Sequence, residues 1–474
     1  MINPYFDGWV KIIQGDALKV LAEMPEESVQ MVITSPPYWG LRKYSGEQEM
    51  VWGDDHCEHR WANEVIGKKT NYNEGFNTRW EGSPNPIQKN SEMGKVGRFE
   101  RQTCSLCGAW RGAYGLEPTP EMYVQHTIEF LRAIRRVLRK DGVVFWDIGD
   151  SYMSHGGDRA KVGGFQANPS KDRLEAESSM SMIKRTTNIL KDKDLCLIPF
   201  RVAIAAQEDG WFVRSVIIWS KLNPMPESCK DRPTESHEYI LLLTKSAHYY
   251  WDMEAVREKL DYGADSSRAW ASNNPERRKD DTGIGKGITT TRQDEFYAKV
   301  RAGKIIGRNL RSVWTFATEP YPEAHFATFP RELPKRCILA ATSEKGNCSK
   351  CGKPWGRMLK ENKSYWSAHK EERFMGKGNN LDRHDNYTLS GPALKRWKDE
   401  HPSETLGWRP SCACGIEETT PALVLDPFAG SGTVGEVAKS LGRKAILIDT
   451  SAEYCSLAQK RVEAISLPLK GIEC

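Results

Sequence analysis

The 474-residue chain lacks any apolar run of about 18 residues, so no membrane-spanning helix is expected. Its first residues, MINPYFDGWVKIIQGDAL, hold no basic stretch leading into an apolar one. No secretion signal is read there, and a cytoplasmic protein free of the membrane is the expectation. No internal repeat is present, which excludes solenoid and propeller architectures. There is little excess of either charge: the net value is +5, which permits a nucleic-acid partner without demanding one. Disulfides are not expected either, because without a secretion signal the paired spacing of the twelve cysteines points to metal. What is present is 39% hydrophobic residues, enough over this length for a large core and two or three domains.

Strand and helix patterns alternate along much of the chain. WVKIIQGDAL reads as a short strand ending at Gly15-Asp16, ALKVLAEMPEES as an amphipathic helix, and VQMVIT as a buried strand. Such a unit predicts a mostly parallel sheet in an α/β fold. Residues 51–110 are rich in Asn, Gly, Lys and Glu and read as an insertion. Regular pattern resumes with a helix started by Pro118 to Pro120 and stopped at Gly142, so 1–50 and 111–252 form one half of a domain. Pattern fades over 253–312, where Glu276 to Arg311 holds ten Lys/Arg against five Asp/Glu. The other half comprises 313–342 and 419–474, split by a second insertion over 343–418.

Near the C-terminal end, Leu423 to Asp426 is a strand, followed by Pro427, Phe428, Ala429, Gly430, Ser431 and Gly432, and a helix from about Thr433. Glycines at a strand-to-helix turn let a ligand approach the backbone. The next strand, AILID, ends in Asp449, 23 residues after Asp426, where Rossmann-like folds place a ribose acceptor. A glycine turn alone also serves tight packing; the whole strand–turn–helix–strand unit points to a nucleoside cofactor. No Lys follows Gly432, so a phosphate loop for ATP is not expected.

The stretch VITSPPYWGLRKY ends a buried strand with two prolines and two aromatic rings. Prolines forbid continuation as helix or inner strand, so the strand ends in a rigid corner. Alone, this is equally a proline-rich surface turn.

Together the two motifs carry a resemblance. DPFAGSGT resembles the S-adenosylmethionine motif of amino-methyltransferases acting on DNA, and TSPPY resembles their catalytic motif. Catalytic motif first and cofactor motif last is the circularly permuted order of the β class. WSKLNPMPESCKDRPTESHEYILLLTKS and HFATFPRELPKRCILA resemble its connecting motifs, so the likeness spans most of the chain outside the insertions and the basic stretch.

The resemblance implies a Rossmann-like methyltransferase fold with a mostly parallel seven-stranded sheet. It also implies transfer of a methyl group to the exocyclic amino group of a base flipped from double-stranded DNA. The implied catalytic residues are Ser35, Pro36, Pro37 and Tyr38. The Ser35 side chain and Pro36 carbonyl accept the amino N–H bonds, Tyr38 stacks on the base, and Trp39 lines its pocket. For the cofactor it implies Thr34, Asp426, Pro427, Phe428, Gly430, Ser431, Gly432, Thr433 and Asp449. Asp16 borders the adenine, with helix capping as the plainer alternative, and Phe329 and Pro330 pack on the methionine part, with helix-start packing as theirs. Serine before Pro-Pro-Tyr favours cytosine N4, with adenine N6 as the alternative. Methylation at cytosine C5 is excluded, since the chain has no Pro-Cys dipeptide.

Cys104-x-x-Cys107-Gly108 has the form of a zinc knuckle, with Cys57 and His59 upstream to complete a site. Cys348, Cys351, Cys412 and Cys414 form a second set. Both lie in the insertions, where aliphatic residues are few and a structural zinc would replace the missing core. Free loop thiols are the alternative. Cys196, Cys229, Cys337, Cys455 and Cys474 read as ordinary thiols.

The basic stretch 253–312 sits where the family places DNA recognition, and the polar segment Met153 to Lys193 is a second DNA-facing candidate. No P-D…E-x-K nuclease motif stands out, so any restriction endonuclease partner is a separate chain. Two other readings remain: a zinc-containing DNA-binding protein with an inactive methyltransferase fold, and an RNA methyltransferase, which the motif order disfavours.

Overall fold

Val29–Thr34 is buried at every position, as a strand covered on both faces must be. It is the middle of the chain's main sheet. The computed structural model describes residues 5–40, 49–54, 56–61, 103–153, 190–258, 309–319, 329–359 and 405–466. Most of the expected recognition region and most of the segment from Met153 to Lys193 lie outside them.

The N-terminal part runs β1 (Tyr5–Phe6), β2 (Val10–Gln14), α1 (Ala17–Glu23) and β3 (Val29–Thr34), then the ribbon strands β4 (Glu49–Trp52) and β5 (Trp110–Ala113). It continues through α2 (Pro120–Val137), β6 (Leu138–Ile148), α3 (Ile198–Glu208), β7 (Phe212–Lys221) and β8 (His237–Thr244). The C-terminal part holds β9 (Val313–Phe316), α4 (Glu332–Ala341), β10 (Asn347–Cys348), β11 (Gly356–Leu359), β12 (Thr405–Arg409) and β13 (Thr419–Thr420). It closes with β14 (Leu423–Asp426), α5 (Thr433–Ser440), β15 (Lys444–Asp449) and α6 (Ala452–Glu463).

The main sheet has the order β1-β2-β15-β14-β3-β6-β8-β7-β9. Neighbours from β2 to β6 are parallel, while β8 is antiparallel to both β6 and β7. The described sheet therefore has nine strands rather than the expected seven. Seven inner strands are flanked by β1, paired antiparallel with β2, and β9, paired parallel with β7. Short edge strands carry too little pattern of their own to be assigned a partner from sequence.

The period-2 alternation of the strands splits the core in two. Val32, Val144, Leu241 and Leu425 face α1, α2 and α3 through Leu21, Leu131 and Val202. Met31, Ile33, Phe145 and Val424 face α4, α5 and α6 through Ile338, Val437 and Val462. Helix α2 ends at Val137, capped by Leu138, rather than at Gly142, which lies inside β6. A Cβ there would stand 2.7 Å from the Leu138 side chain and 2.9 Å from the Gln30 carbonyl oxygen, so this glycine serves close packing. Among the described residues no helix is long and apolar enough to cross a membrane.

From β14 the chain leaves through α5 toward β15; from β3 it leaves toward β6, on the other side and the other face. The crevice beyond the carboxyl ends of β14 and β3 is thus a topological switch point, where open α/β sheets bind ligands.

Candidate active site

A cleft continuous with solvent opens at this switch point. Ser35 and Pro37 of the proline corner line it together with Pro427, Phe428, Gly430, Ser431 and Thr433 of the glycine turn. Asp16, Asp449 and Phe329 complete the residues expected from sequence. The cleft also takes Met50, Tyr114 and Phe130, which sequence reasoning missed. Phe130 reads only as the apolar face of α2, and Met50 and Tyr114 sit at the margins of an insertion with no motif of their own.

The floor is aromatic. Phe428 lies 4.9 Å from Phe130 edge-on, 5.8 Å from Tyr114 and 6.2 Å from Trp146, centroid to centroid. Gly430 adopts φ 50° and nothing stands within 4 Å of where its Cβ would be, so its backbone is open to a ligand. Gly432, at φ 81°, is required for another reason: a Cβ would lie 2.6 Å from that of Ala458 on α6. Beneath the turn, Arg461 donates to Ser431 Oγ at 3.0 Å and Thr433 Oγ1 at 2.9 Å and pairs with Glu436.

The strand-end acids differ in role. Asp449 accepts the N–H groups of Gly430 at 2.9 Å and Ser451 at 2.8 Å, and burial raises its pKa. Asp426 does not line the cleft. Buried at the end of β14, it accepts from Thr34 Oγ1 at 2.6 Å and from the Phe428 N–H at 3.1 Å. Thr34 and Asp426 therefore tie the two motifs together from beneath. Burial pushes the Asp426 carboxyl up to about 7, against the lowering effect of the Thr34 bond. Asp16 lines the cleft and also caps α1, accepting the Lys19 N–H at 3.0 Å.

At the corner, Ser35 Oγ donates to Tyr38 Oη at 3.0 Å, and Tyr38 Oη donates to Glu238 Oε2 at 2.9 Å. Lys221 Nζ pairs with the other oxygen of Glu238. Asp147 of β6 lies beneath, near Tyr38 and Glu238 without a well-formed hydrogen bond to either. Burial, then the charge of Glu238, raises its pKa well above the carboxylate range. Burial likewise raises Tyr38 well above the usual phenol range. The Tyr38 ring packs on Gly149, where an added Cβ would lie 2.8 Å from it.

Trp39 and Pro330, also expected at the site, do not line the cleft. Trp39 is 1% exposed, packed in the core with its indole N–H on the Glu117 carbonyl at 2.9 Å, because a ring of that size finds its burial under the corner. Pro330 is buried and its carbonyl accepts the Leu333 N–H at 3.1 Å, which is helix-start packing. Pro36 stays in the corner, buried between Ser35 and Pro37, and the Pro37 carbonyl accepts from Tyr123 Oη at 3.0 Å.

The N6_N4_Mtase family model, described as DNA methylase, matches residues 29–349 and 418–460, which spans both halves of this cleft. The chain belongs to this DNA methylase family. It is a DNA amino-methyltransferase by that membership, and S-adenosylmethionine is the methyl donor of the family. It is similar to the Type II methyltransferase M.Cfr9I of Citrobacter freundii, 33% identical over 331 residues, covering 70% of this chain and 72% of that protein. It is also similar to M.SmaI of Serratia marcescens, 27% identical over 452 residues, covering 95% and 90%. Among solved structures, the cytosine-N4-specific PvuII DNA methyltransferase aligns with 97% of this chain and 89% of its own, at TM-score 0.42 and 14% identity.

In this methylase Cys57, His59, Cys104 and Cys107 converge next to the end of the β4–β5 ribbon, with ligand atoms all within 4.8 Å of one another. Cys348, Cys351, Cys412 and Cys414 converge in the same way elsewhere. None of the described cysteines is in a disulfide.

Proposed function

We propose that this chain is a site-specific Type II DNA methyltransferase that modifies cytosine N4 in duplex DNA. The observation that carries the reading is the shared cleft. Ser35 and the glycine turn, nearly four hundred residues apart, line one space at the switch point of the sheet. The residues fit S-adenosylmethionine. Gly430 leaves its backbone open, Phe428 offers an aromatic face to a sulfonium, and Asp449 keeps acceptor capacity for a ribose hydroxyl. That cofactor supplies an electrophilic methyl group.

The chain's own part is to hold the amino nitrogen and take its proton. Ser35 directs its hydroxyl hydrogen to Tyr38, so its lone pairs are left to accept an N–H from the target. The Pro36 carbonyl is the proposed second acceptor. An amino nitrogen that took that methyl group would have to lose a proton. The released proton passes to Ser35 Oγ, whose own proton moves to Tyr38 and on to Glu238. Flipping of the base is required because the amino group is paired inside the duplex. The β-class, permuted motif order goes with this reading. So do a cytoplasmic location and a separate cognate endonuclease, as in a restriction–modification pair. The stretch 253–312 is proposed as the DNA reader.

Adenine N6 is the second reading, separated only by the leaning of Ser35 toward cytosine. Mass spectrometry of nucleosides from treated DNA tests both. N4-methylcytosine is expected; N6-methyladenine selects the alternative. No methylated base, with no S-adenosylmethionine binding by calorimetry, would mean an inactive DNA-binding fold.

A further inference from the structure

The two cysteine sets are built on one turn. The Cys104 N–H donates to the Ala109 carbonyl at 2.7 Å, and the Gly108 N–H donates back to the Cys104 carbonyl at 2.9 Å. In the other set the Cys348 N–H donates to the Lys353 carbonyl at 2.9 Å, and the Gly352 N–H to the Cys348 carbonyl at 2.8 Å. Gly108 and Gly352 sit at φ 76° and 71°, which turns the chain back so that both thiols of each pair face one point.

Spacing at that point suits an ion. Cys57 Sγ lies 3.9 Å from Cys104 Sγ, and Cys107 Sγ lies 3.5 Å from His59 Nδ1. A disulfide holds its sulfurs at about 2.05 Å. Sulfur and nitrogen ligands on a tetrahedral zinc stand about 3.6 to 3.8 Å apart. Four ligands leave no open position, as in structural rather than catalytic sites.

We propose that each set binds one zinc ion, and that the first ion clasps a wall of the active-site cleft while the second fastens an insertion to the far end of the sheet. Strands β4 and β5 are four residues each, and residues 53–109 connect them. A ribbon so short does not hold itself, and closing so long a connection costs entropy. The first ion closes it beside the last strand pair, Trp52 with Trp110.

The ribbon then reaches the chemistry by two routes. Directly, it carries Met50, and it runs on into Tyr114; both line the cleft. Indirectly, Trp52 stacks on His126 at 3.9 Å, His126 Nδ1 meets Glu117 Oε1 at 2.9 Å, and Glu117 Oε2 accepts the Gly115 N–H at 2.9 Å. The Gly115 carbonyl accepts from Gly40 at 2.7 Å, at the end of the Ser-Pro-Pro-Tyr corner.

The second set has no such reach. Arg139 donates to the Cys351 carbonyl at 3.2 Å, and Asn347 to Gln30 Oε1 at 3.4 Å. Arg139 and Gln30 stand at the amino ends of β6 and β3, the end of the sheet away from the cleft.

Metal analysis of the full-length protein tests the sites. Two zinc ions per chain are expected; no zinc retained after reconstitution and dialysis, or iron in its place, overturns the assignment. Cys107→Ser and Cys351→Ser are each expected to leave one ion, and a variant with an unchanged count overturns its site. The clasp predicts unequal consequences. Cys107→Ser loses about a hundredfold in kcat/KM, the scale of a 1 Å misplacement, whereas Cys351→Ser stays close to wild type. Equal losses, or an intact Cys107→Ser enzyme, overturn the clasp. His59→Cys keeps four ligands and is expected to retain both ion and activity. Cobalt loading of the unaltered protein needs no variant: tetrahedral thiolate absorption from two ions per chain is expected, and its absence overturns both sites. The metal count does not depend on the methyl-transfer reading, so either can fail alone.

Discussion

The two ends of the main sheet hold the same cysteine turn in different company. At the carboxyl end, the set around Cys104 sits at the end of the β4–β5 ribbon, whose Met50 lines the cleft and whose Trp52 and Trp110 stack on His126. At the amino end, the set around Cys348 meets Arg139 and, through Asn347, Gln30, neither of which lines the cleft. A recurring turn therefore says nothing about function by itself. Its position relative to the switch point decides, because the connections leave β14 and β3 on opposite sides there and open a crevice beyond their carboxyl ends.

The contrast can be broken most forcefully at the cleft. Ser35→Ala should lower kcat by about a hundredfold or more, the usual worth of a positioned proton acceptor, while S-adenosylmethionine binding stays intact by calorimetry. Loss of cofactor binding in this variant would erase the division between corner and turn.

Next in size is the glycine turn. Gly432→Ala combines left-handed backbone with a Cβ 2.6 Å from that of Ala458, and should cost about 2 to 4 kcal/mol in denaturant unfolding. Gly430→Ala, facing open space, should cost only about 1 kcal/mol and act instead on cofactor affinity. Similar stability losses in both would mean that Gly430 is not a ligand-facing position.

Asp426 sharpens the comparison through pH. Its folded pKa, about 7, exceeds the unfolded value, so between those limits the folded chain binds a proton that the unfolded chain has released. Stability should fall as pH rises through that window, by up to about 1.4 kcal/mol per unit from this group. Asp426→Asn keeps an acceptor for Thr34 and should flatten part of the slope in a series of thermal melts. An unchanged slope would remove Asp426 as its source.

The smallest effect belongs to the amino end. Arg139→Ala loses one carbonyl contact and its partly exposed pair with Asp141, and should cost about 1 kcal/mol with kcat/KM unaltered. A clear loss of activity would show that this end too communicates with the cleft.

Much of the site was legible because it is local. The corner, the glycine turn and the strand-end acids are short motifs whose backbone needs are written in prolines, glycines and alternating apolar residues. What escaped lies between segments distant in sequence. Nothing in the spelling of Trp39 distinguishes a pocket ring from a core ring; its burial depends on Glu117 and the helix behind it. Asp426 and Thr34 read as cofactor contacts but bond to each other across 392 residues. Glu238, set beside Tyr38 by the pairing of β8 with β6, lies in a segment that resembles a connecting motif, but nothing in that segment singled it out.

By itself, then, the sequence determined the α/β class, the two motifs at the heart of the cleft and the membership of both cysteine sets. Each of these rests on residue type and short spacing. Tertiary structure alone decided that the described sheet has nine strands, that Ser35 leans on Tyr38 and through it on Glu238, and that one cysteine set sits at the end of a ribbon that lines the cleft. Those facts depend on which strands pair and which side chains share a buried space, and contacts of that range are settled only when the whole core closes.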